Sequence, residues 1–311
     1  MPTEAAEDRR VRLESLSTPG GPLNIDAPQA TVMDRRYFRS VGTEWVPTAS
    51  RRKLHSELME TWNTRCQNPR RERKAILFAG PPAAGKSTLM GASNAYFGEY
   101  RRVDADDFKE LLLQSVVNDG LLATLLPESL QDNVAERFHP LELSALVHRE
   151  STILQERALN EAMRAGENIA IDGTLGYLPW AEELVRQLRD FGYKIHVIDV
   201  EAVQELSLAR VVGRWRTGYE KALACPQDPN AALGGRWLPA SAVTRLFTTG
   251  LEVRGGSPIA HCSVTETHAR EIATKFPEVV KYELHRTSDA AGAPTLEAQW
   301  QRTHSGEWVS Q

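Results

Sequence analysis

Short aliphatic runs and longer amphipathic segments alternate through the middle of the chain. Runs with the length of buried strands lie at 75–79, 169–171 and 194–200, and more polar segments at 100–103 and 279–285 are candidates for two further strands. Between them, apolar residues recur three and four positions apart, which predicts helices at about 48–65, from 107 onward, and at 151–165, 178–191 and 203–217. Strands that alternate with helices at this spacing usually form a mostly parallel sheet between two helical layers. The pattern therefore predicts a three-layer α/β fold.

The two ends of the chain lack this regular pattern. Residues 1–50 mix charged pieces with Pro- and Gly-rich pieces and show no sustained period, so we expect an N-terminal extension that is partly irregular. The last residues, 286–311, predict a frayed C-terminal tail. The sequence thus predicts one α/β domain over 51–285 with an appendage at either end.

The composition is that of a soluble globular protein. Of the 311 residues, 41% are hydrophobic and 25% are charged, and the net charge of -4 offers no general attraction for nucleic acid. Cys66, Cys225 and Cys262 form no C-x-x-C pair, so we expect neither a disulfide framework nor a zinc site. No apolar run approaches the ~20 residues of a membrane helix, and the polar N-terminus does not resemble a secretory signal. We therefore expect a cytoplasmic protein without a membrane or nucleic-acid partner.

The strongest chemical signal is a glycine-rich turn after the strand at 75–79. It reads Gly80-Pro81-Pro82-Ala83-Ala84-Gly85-Lys86-Ser87-Thr88, which is the pattern G-x-x-x-x-G-K-[ST] between a strand and a helix. The glycines let successive backbone N–H groups point at a phosphate, and the following helix adds its positive end. Lys86 is expected to reach the β- and γ-phosphates, and the Ser87 hydroxyl to bind Mg²⁺. The turn therefore predicts a nucleoside triphosphate site.

Two carboxylates follow the next predicted strand. If that strand is regular, Asp104 and Asp106 point to the same face, with Asp106 nearer the edge at which open α/β sheets bind ligands. We expect Asp106 to accept the proton of an acceptor hydroxyl. Asp104 is expected to support Mg²⁺ together with Ser87 and is also a candidate substrate contact. The alternative is that Asp106 only caps a helix.

Polar residues elsewhere are candidates for contacts with the acceptor. Asp172 and Thr174 follow the strand at 169–171. Asp172 has two interpretations that the residues leave open, a carboxylate that supports Mg²⁺ or a group that binds substrate hydroxyls. His148 and Glu150, with Glu156 nearby, begin a helical region and are candidates for gripping a polar substrate.

Arginines supply the cations that phosphoryl transfer requires. Arg210 and Arg214 share one face of a predicted helix, Arg216 lies just beyond, and Arg236 follows a Gly- and Pro-rich segment. The planar guanidinium group matches phosphate oxygens and stays charged. A segment that carries such residues resembles a lid that closes over the nucleotide.

In their order and spacing these motifs resemble those of the zeta-toxin kinases, P-loop enzymes of bacterial toxin-antitoxin systems. The resemblance runs from about 75 to 247 and rests on the glycine-rich turn, Asp104-Ala-Asp106-Asp-Phe-Lys109, a helix with Glu156, Ile171-Asp172-Gly-Thr174, Arg214, and Arg236-Trp-Leu-Pro239. It implies the P-loop kinase fold. It also implies ATP- and Mg²⁺-dependent phosphorylation of the 3′-hydroxyl of a UDP-N-acetyl sugar of the UDP-N-acetylglucosamine type, which poisons cell-wall synthesis.

The resemblance also implies a role for each matching residue. Lys86 and Ser87 match the residues that bind ATP and the metal, and Asp106 matches the base. Arg214 and Arg236 match the arginines at the γ-phosphate. The positions that hold the nucleotide-sugar are matched by Glu156, Asp172 and Thr174.

Two departures and several alternatives accompany this resemblance. The best-known members have glutamate in place of Asp172, and about nine extra residues near 224–232 separate Arg214 from Arg236. A kinase of the same fold that acts on NAD, another nucleotide or an antibiotic is an alternative, and an ATP-dependent switch or binding module is an alternative of another class. Such toxins require restraint, either by an antitoxin protein or, in this chain, by residues 1–50 acting in cis.

Overall fold

The computed structural model describes residues 2–65, 68–92, 97–131, 137–247, 253–254, 257–258, 263–289, 292–303 and 305–310. Its α-helices are α1 (Pro2–Leu16), α2 (Ala49–Thr64), α3 (Lys86–Ala92), α4 (Ala105–Asn118), α5 (Glu128–Gln131), α6 (His148–Ala165), α7 (Leu178–Asp190), α8 (Gln204–Ala224), α9 (Pro229–Ala232), α10 (Ala240–Thr244) and α11 (Val264–Lys275). Its strands are β1 (Phe38–Val41), β2 (Glu44–Pro47), β3 (Lys74–Ala79), β4 (Arg101–Val103), β5 (Ile169–Ile171), β6 (Lys194–Ala202), β7 (Val253–Arg254), β8 (Ser257–Pro258), β9 (Val279–Thr287), β10 (Thr295–Arg302) and β11 (Trp308–Ser310). Short 3₁₀ helices lie at Thr31–Met33, Leu122–Leu125 and Pro140–Val147.

The chain divides into two compact units, each built from three segments. The first unit comprises Met1–Arg65, Ala105–Arg157 and Val211–Ala240. The second comprises Cys66–Asp104, Ala158–Arg210 and Ser241–Gln311. Because each unit is discontinuous in sequence, neither can be recognised from a local change in composition.

The second unit contains a seven-stranded sheet in the order β11-β10-β9-β6-β3-β5-β4. From β9 to β4 the neighbouring strands are parallel, whereas β10 and β11 are antiparallel. Every residue of β3 from Ala75 to Ala79 is at most 1% exposed, as expected of a strand covered on both faces. Helices flank the sheet, with α11 packed against β6 and β9, and α3 resting on the core around Phe78. The predicted α/β fold with a mostly parallel sheet is confirmed.

The C-terminal residues differ from the expected frayed tail. β9 continues to Thr287, β10 pairs with it, and β11 pairs with β10. Trp300 on β10 meets Tyr282 on β9, with ring centroids 5.4 Å apart. β10 pairs with a strand on each side, but most of its side chains are polar, so its sequence lacks the aliphatic run of a strand that is buried on both faces.

The N-terminal extension, which belongs to the first unit, is more ordered than its sequence indicates. It contains α1, the 3₁₀ turn at Thr31–Met33 and the β1–β2 hairpin. In α1, Ala6 and Leu13 are 0% exposed and Leu16 is 7% exposed. These three buried positions in fifteen residues are too sparse to produce a clear helical period. None of the described helices is long and apolar enough to span a membrane.

Candidate active site

The glycine-rich turn joins β3 to α3 in the second unit and requires glycine at both ends. Gly80 has φ 116° and Gly85 has φ 115°, a region that side chains disfavour. A Cβ atom at Gly80 would lie 1.9 Å from the carbonyl oxygen of Val200, and one at Gly85 would lie 2.6 Å from the Pro294 side chain. The turn is therefore fixed by close contacts with β6 and with the segment before β10.

Hydrogen bonds hold both the lysine and the backbone of this turn. Lys86 Nζ donates to the carbonyl oxygens of Gly80 (2.7 Å) and Pro81 (3.1 Å), so its ammonium group lies over the turn. On β9, the hydroxyl of Thr287 donates to the carbonyl of Ala84 at 2.6 Å. Because a trans peptide places C=O and the following N–H on opposite sides, the N–H of Gly85 points away from Thr287. These bonds fix the orientation of the turn that the sequence assigns to phosphate.

Two of the predicted acidic residues lie together at the carboxyl ends of β4 and β5. The backbone N–H of Asp172 donates to Val103 at 3.0 Å. Arg102 Nη2 lies 2.5 Å from Asp104 Oδ2 and 3.4 Å from Asp172 Oδ2. Asp104 is 8% exposed. The two carboxylates therefore converge on one guanidinium group. Arg102 and Asp172 are 70 positions apart, so local sequence patterns do not reveal this contact.

Thr174 ties this edge of the sheet to the glycine-rich turn. Its carbonyl oxygen accepts a hydrogen bond from the N–H of Gly80 at 3.3 Å, and its hydroxyl accepts one from the N–H of Gly176 at 3.1 Å. No group of three or more His, Cys, Asp or Glu side chains that could hold a metal ion occurs in the described part of the chain. Any cation here would have one or two carboxylates and the Ser87 hydroxyl, which are the oxygen ligands that Mg²⁺ prefers beside substrate phosphates.

Asp106 belongs to the first unit and lies in the first turn of α4, not on a strand. The expectation that Asp104 and Asp106 share a strand face was therefore wrong. β4 ends at Val103, and a helix begins at Ala105 because acidic residues stabilise the positive end of a helix. Asp106 Oδ1 accepts a hydrogen bond from Lys109 Nζ at 2.9 Å, and Asp106 Oδ2 lies 2.6 Å from Arg236 Nη1.

These cations determine the charge state of Asp106. Burial pushes the pKa of Asp106 upward, but the positive charges of Lys109, Arg236 and Arg214 outweigh it and hold the pKa well below its usual range. Asp106 is therefore an ionised hydrogen-bond acceptor at neutral pH. The structure brings Asp106, Arg214 and Arg236 together although 130 residues of sequence separate the first from the last.

Other arginines named from the sequence have structural partners. In the second unit, Arg210 donates to the carbonyl oxygens of Ala83 (3.3 Å), Asp289 (2.9 Å) and Gly292 (2.8 Å). In the first unit, Arg216 Nη2 lies 3.2 Å from Glu7. Arg210 therefore supports the glycine-rich turn from outside.

Glu150 is a correction to the predicted substrate contacts. Its side chain is 0% exposed and accepts hydrogen bonds from Arg51 at 2.5 and 2.7 Å, and its Oε1 lies 2.7 Å from His55 Nε2. Burial raises the pKa of Glu150, but the hydrogen bonds from His55 and Arg51 together lower it below its usual value. Glu150 is thus an internal anchor between α2 and α6. Nothing in the local sequence distinguishes it from a surface glutamate.

The remaining predicted substrate residues lie on α6. His148 opens the helix and is half-buried, and its carbonyl oxygen accepts a hydrogen bond from the Ser151 hydroxyl at 2.7 Å. Glu156 lies two turns further along and is exposed.

Sequence reasoning assigned no role to three residues that contact the site. Arg102 contacts Asp104 and Asp172, Lys109 contacts Asp106, and Thr287 contacts the glycine-rich turn. Lys109 had a local signal, because it lies three positions after Asp106 on the same helix. Arg102 and Thr287 had none for their long-range contacts, because Asp172 lies 70 positions from Arg102 and Ala84 lies 203 positions from Thr287.

Comparisons with known proteins find one matching family model and several similar solved structures. The family model described as Zeta toxin matches residues 126–253. The structure of the AvrRxo1-ORF1:-ORF2 complex is similar over 92% of this chain and 80% of that chain, with 18% identity and a TM-score of 0.55. The same complex solved with ATP covers 89% and 78%, with 18% identity and a TM-score of 0.50. The PezAT chromosomal toxin-antitoxin system of the human pathogen Streptococcus pneumoniae covers 78% of each chain, with 15% identity and a TM-score of 0.47. No curated protein matches the chain.

The matched segment contains five residues that were assigned roles from the resemblance, namely Glu156, Asp172, Thr174, Arg214 and Arg236. The glycine-rich turn precedes that segment and supplies the P-loop independently. The chain is therefore similar to the Zeta toxin family over residues 126–253, and its fold agrees with the resemblance that the sequence motifs indicate.

Proposed function

We propose that this protein transfers the γ-phosphate of ATP to a hydroxyl of a nucleotide-sugar, the 3′-hydroxyl of a UDP-N-acetylglucosamine-type acceptor, and thereby acts as a toxin. The observation that carries the proposal is the glycine-rich turn, with its two close-packed glycines and the Lys86 ammonium held 2.7 Å from the Gly80 carbonyl. The match of residues 126–253 to the Zeta toxin family model and the likeness of the fold to a complex solved with ATP support it.

The turn from Gly80 to Thr88 binds the phosphates of ATP in this proposal. Lys86 leaves the carbonyl oxygens of Gly80 and Pro81 and pairs with phosphate oxygens, which offer a full negative charge in place of a dipole. Ser87 with Asp104 or Asp172 holds Mg²⁺, because hydroxyl and carboxylate oxygens suit that ion. When bound, the metal neutralises charge on the phosphate oxygens.

Asp106, Arg214 and Arg236 serve the transfer step. The acceptor oxygen forms a bond to the γ-phosphorus as the bond to the bridging oxygen of ADP breaks, and the hydroxyl proton passes to Asp106. While Arg236 pairs with Asp106 at 2.6 Å, the carboxylate is a weak base. As Arg236 turns to the γ-phosphate, Asp106 loses part of its positive surroundings and becomes a better proton acceptor.

Asp172, Thr174, Glu156 and His148 are the proposed acceptor contacts. The Thr174 hydroxyl accepts a hydrogen bond from the N–H of Gly176, which leaves its own proton to donate to a substrate oxygen. Asp172 is one methylene shorter than the glutamate that the best-known family members carry, so its reach to the sugar differs. Glu150 has no part in this set, because its carboxylate is fully buried.

A mass-spectrometric acceptor screen tests the proposal. The protein and Mg²⁺-ATP are incubated separately with UDP-N-acetylglucosamine, UDP-N-acetylmuramic acid and NAD, and Lys86→Ala serves as the blank. The proposal predicts one added phosphate on a UDP-sugar and growth inhibition on expression, relieved by a partner antitoxin. A product on NAD alone would refute the acceptor assignment, and no product from any acceptor would refute the kinase assignment.

A further inference from the structure

Helix α1 contacts the loop that carries Arg236. The indole Nε1–H of Trp237 donates to the Ser17 hydroxyl at 3.0 Å. Three residues later, the backbone N–H of Ala240 donates to the Glu14 carboxylate, at 3.1 and 3.2 Å from its two oxygens. The stretch that follows Arg236 is therefore held at both ends by the last turn of α1 and the residue after it.

A second set of contacts leads from α1 to the segment that carries Arg214. Arg9 forms an ion pair with Glu142 at 2.5 Å, and these side chains are 9% and 0% exposed. Glu142 accepts a hydrogen bond from Trp215 Nε1 at 3.2 Å. The Trp215 ring meets that of Trp237 edge-on, with centroids 5.5 Å apart. The residues next to Arg214 and Arg236 thus pack on each other and on α1.

The loop before Arg236, Gly234–Gly235, packs directly against the backbone of α8. A Cβ atom at Gly235 would lie 1.9 Å from the carbonyl oxygen of Trp215, and Gly234 has φ 79°. Ser17 and Trp237 are 2% and 4% exposed. A buried indole N–H without an acceptor is costly, so the Ser17 contact selects one position of the loop.

We propose that α1 and Ser17, here called the N-terminal clamp, fix the backbone of Arg236 and, through Trp215, that of Arg214, so that both guanidinium groups are placed for the γ-phosphate of ATP. The inference rests on the proposed function, since it takes those arginines as γ-phosphate ligands. A fixed backbone restricts where a long arginine side chain can place its guanidinium group, and preorganisation of such groups is a main source of catalysis. In this proposal the N-terminal extension positions catalytic groups, which is the opposite of the inhibition in cis that the sequence left open.

The test compares two double variants of α1. Glu14→Ala/Ser17→Ala removes both hydrogen-bond acceptors of the clamp. Glu4→Ala/Ser15→Ala changes the same residue types at exposed positions of the same helix and is the matched control. Calorimetry gives the affinities of each full-length protein for ADP and for a non-hydrolysable ATP analogue, and their ratio reports contacts to the γ-phosphate. Arg236→Ala is the reference for the loss of one such contact.

The clamp variant is expected to lower the preference for the ATP analogue over ADP by roughly tenfold, less than the ~100-fold that a 1 Å misplacement of a catalytic group can cause. Its ADP affinity should equal that of the control. Adding Arg236→Ala to the clamp variant should lower the ratio by a smaller factor than it does in the wild-type chain. A purely structural role of α1 would lower the melting temperature and leave the ratio intact.

Failure of the clamp and failure of the proposed function give different results. If Arg236→Ala lowers the ratio and the clamp variant matches its control, the clamp is refuted and the role of Arg236 stands. If Arg236→Ala leaves the ratio unchanged, the assignment of Arg236 to the γ-phosphate is refuted, and the clamp with it. Should the double variant not fold, Ser17→Ala alone, which removes one oxygen atom, is measured in the same way.

Discussion

Glu150→Gln provides a quantitative test of whether this residue is a structural anchor or a substrate contact. The Glu150 side chain is 0% exposed, and its partners Arg51 and His55 are 6% and 5% exposed, with contacts of 2.5 to 2.7 Å. Glutamine keeps one oxygen acceptor but removes the charge, which leaves the Arg51 guanidinium buried without a counter-ion. We expect the free energy of unfolding to fall by about 3 kcal/mol, the lower end of the 3–5 kcal/mol that is typical for breaking a buried ion pair.

The assay is thermal unfolding of the full chain. With an unfolding entropy of about 2.1 cal/mol/K per residue, 1 kcal/mol shifts the melting temperature of a 311-residue chain by about 1.5 °C, so the melting temperature should fall by about 5 °C. Glu57→Gln is the control, because Glu57 lies on the same helix as Arg51 and forms only an exposed pair with Lys53 at 3.9 Å. Glu57→Gln should change the free energy of unfolding by no more than about 0.5 kcal/mol.

The pH dependence of this difference has a definite sign. Because the pKa of Glu150 is lower in the folded chain than in the unfolded one, its stabilisation is complete above the unfolded value of about 4.3 and is lost as the pH falls through the folded value. The difference in melting temperature between the wild-type chain and Glu150→Gln should therefore become smaller as the pH falls below this value. A Glu150→Gln protein that melts like Glu57→Gln but no longer binds acceptor would show that Glu150 is a ligand and that the anchor assignment is wrong.

Three further substitutions test individual site assignments. Asp106→Asn should reduce phosphate transfer by about 10²-fold or more with ATP affinity nearly unchanged, and transfer at the wild-type rate would exclude Asp106 as the base. Gly85→Ala should weaken ATP binding about tenfold, since its φ of 115° disfavours a side chain, whereas Gly91→Ala in α3 meets nothing within 4 Å and is the control. Thr287→Val should raise the KM for ATP several-fold, because it removes the hydrogen bond to the Ala84 carbonyl in the turn. Thr295→Val, which loses only an exposed hydrogen bond, is the control and should leave the KM unchanged. Equal KM values for the two variants would contradict the supporting role of Thr287.

Features encoded by neighbouring residues could be predicted from the sequence. The turn from Gly80 to Thr88 needs only nine residues and a strand in front, so its position follows directly from the pattern. The buried strands of the sheet could also be predicted locally. A strand that is covered on both faces is apolar at every position, and an aliphatic run such as 75–79 shows this pattern directly.

Features that depend on distant contacts could not be predicted. Arg102 acquires its role only where β4 meets β5, and Glu150 is buried only because Arg51 approaches from α2. Helix α1 has too few apolar positions for a recognisable period, and its order comes from ion pairs and hydrogen bonds such as that between Ser17 and Trp237. The pattern at Asp106 is ambiguous, because a carboxylate three residues after a strand is equally typical of the first turn of a helix.

The most direct test of the kinase assignment is the rate of ADP formation with and without acceptor. The wild-type chain is mixed with Mg²⁺-ATP, and UDP-N-acetylglucosamine is added in increasing amounts, with Lys86→Ala as the background. We predict that ADP forms slowly without the sugar, rises with its concentration to saturation, and matches the phosphorylated sugar one for one. ADP formation that proceeds at the same rate without any acceptor would contradict the account and indicate an ATP-dependent switch.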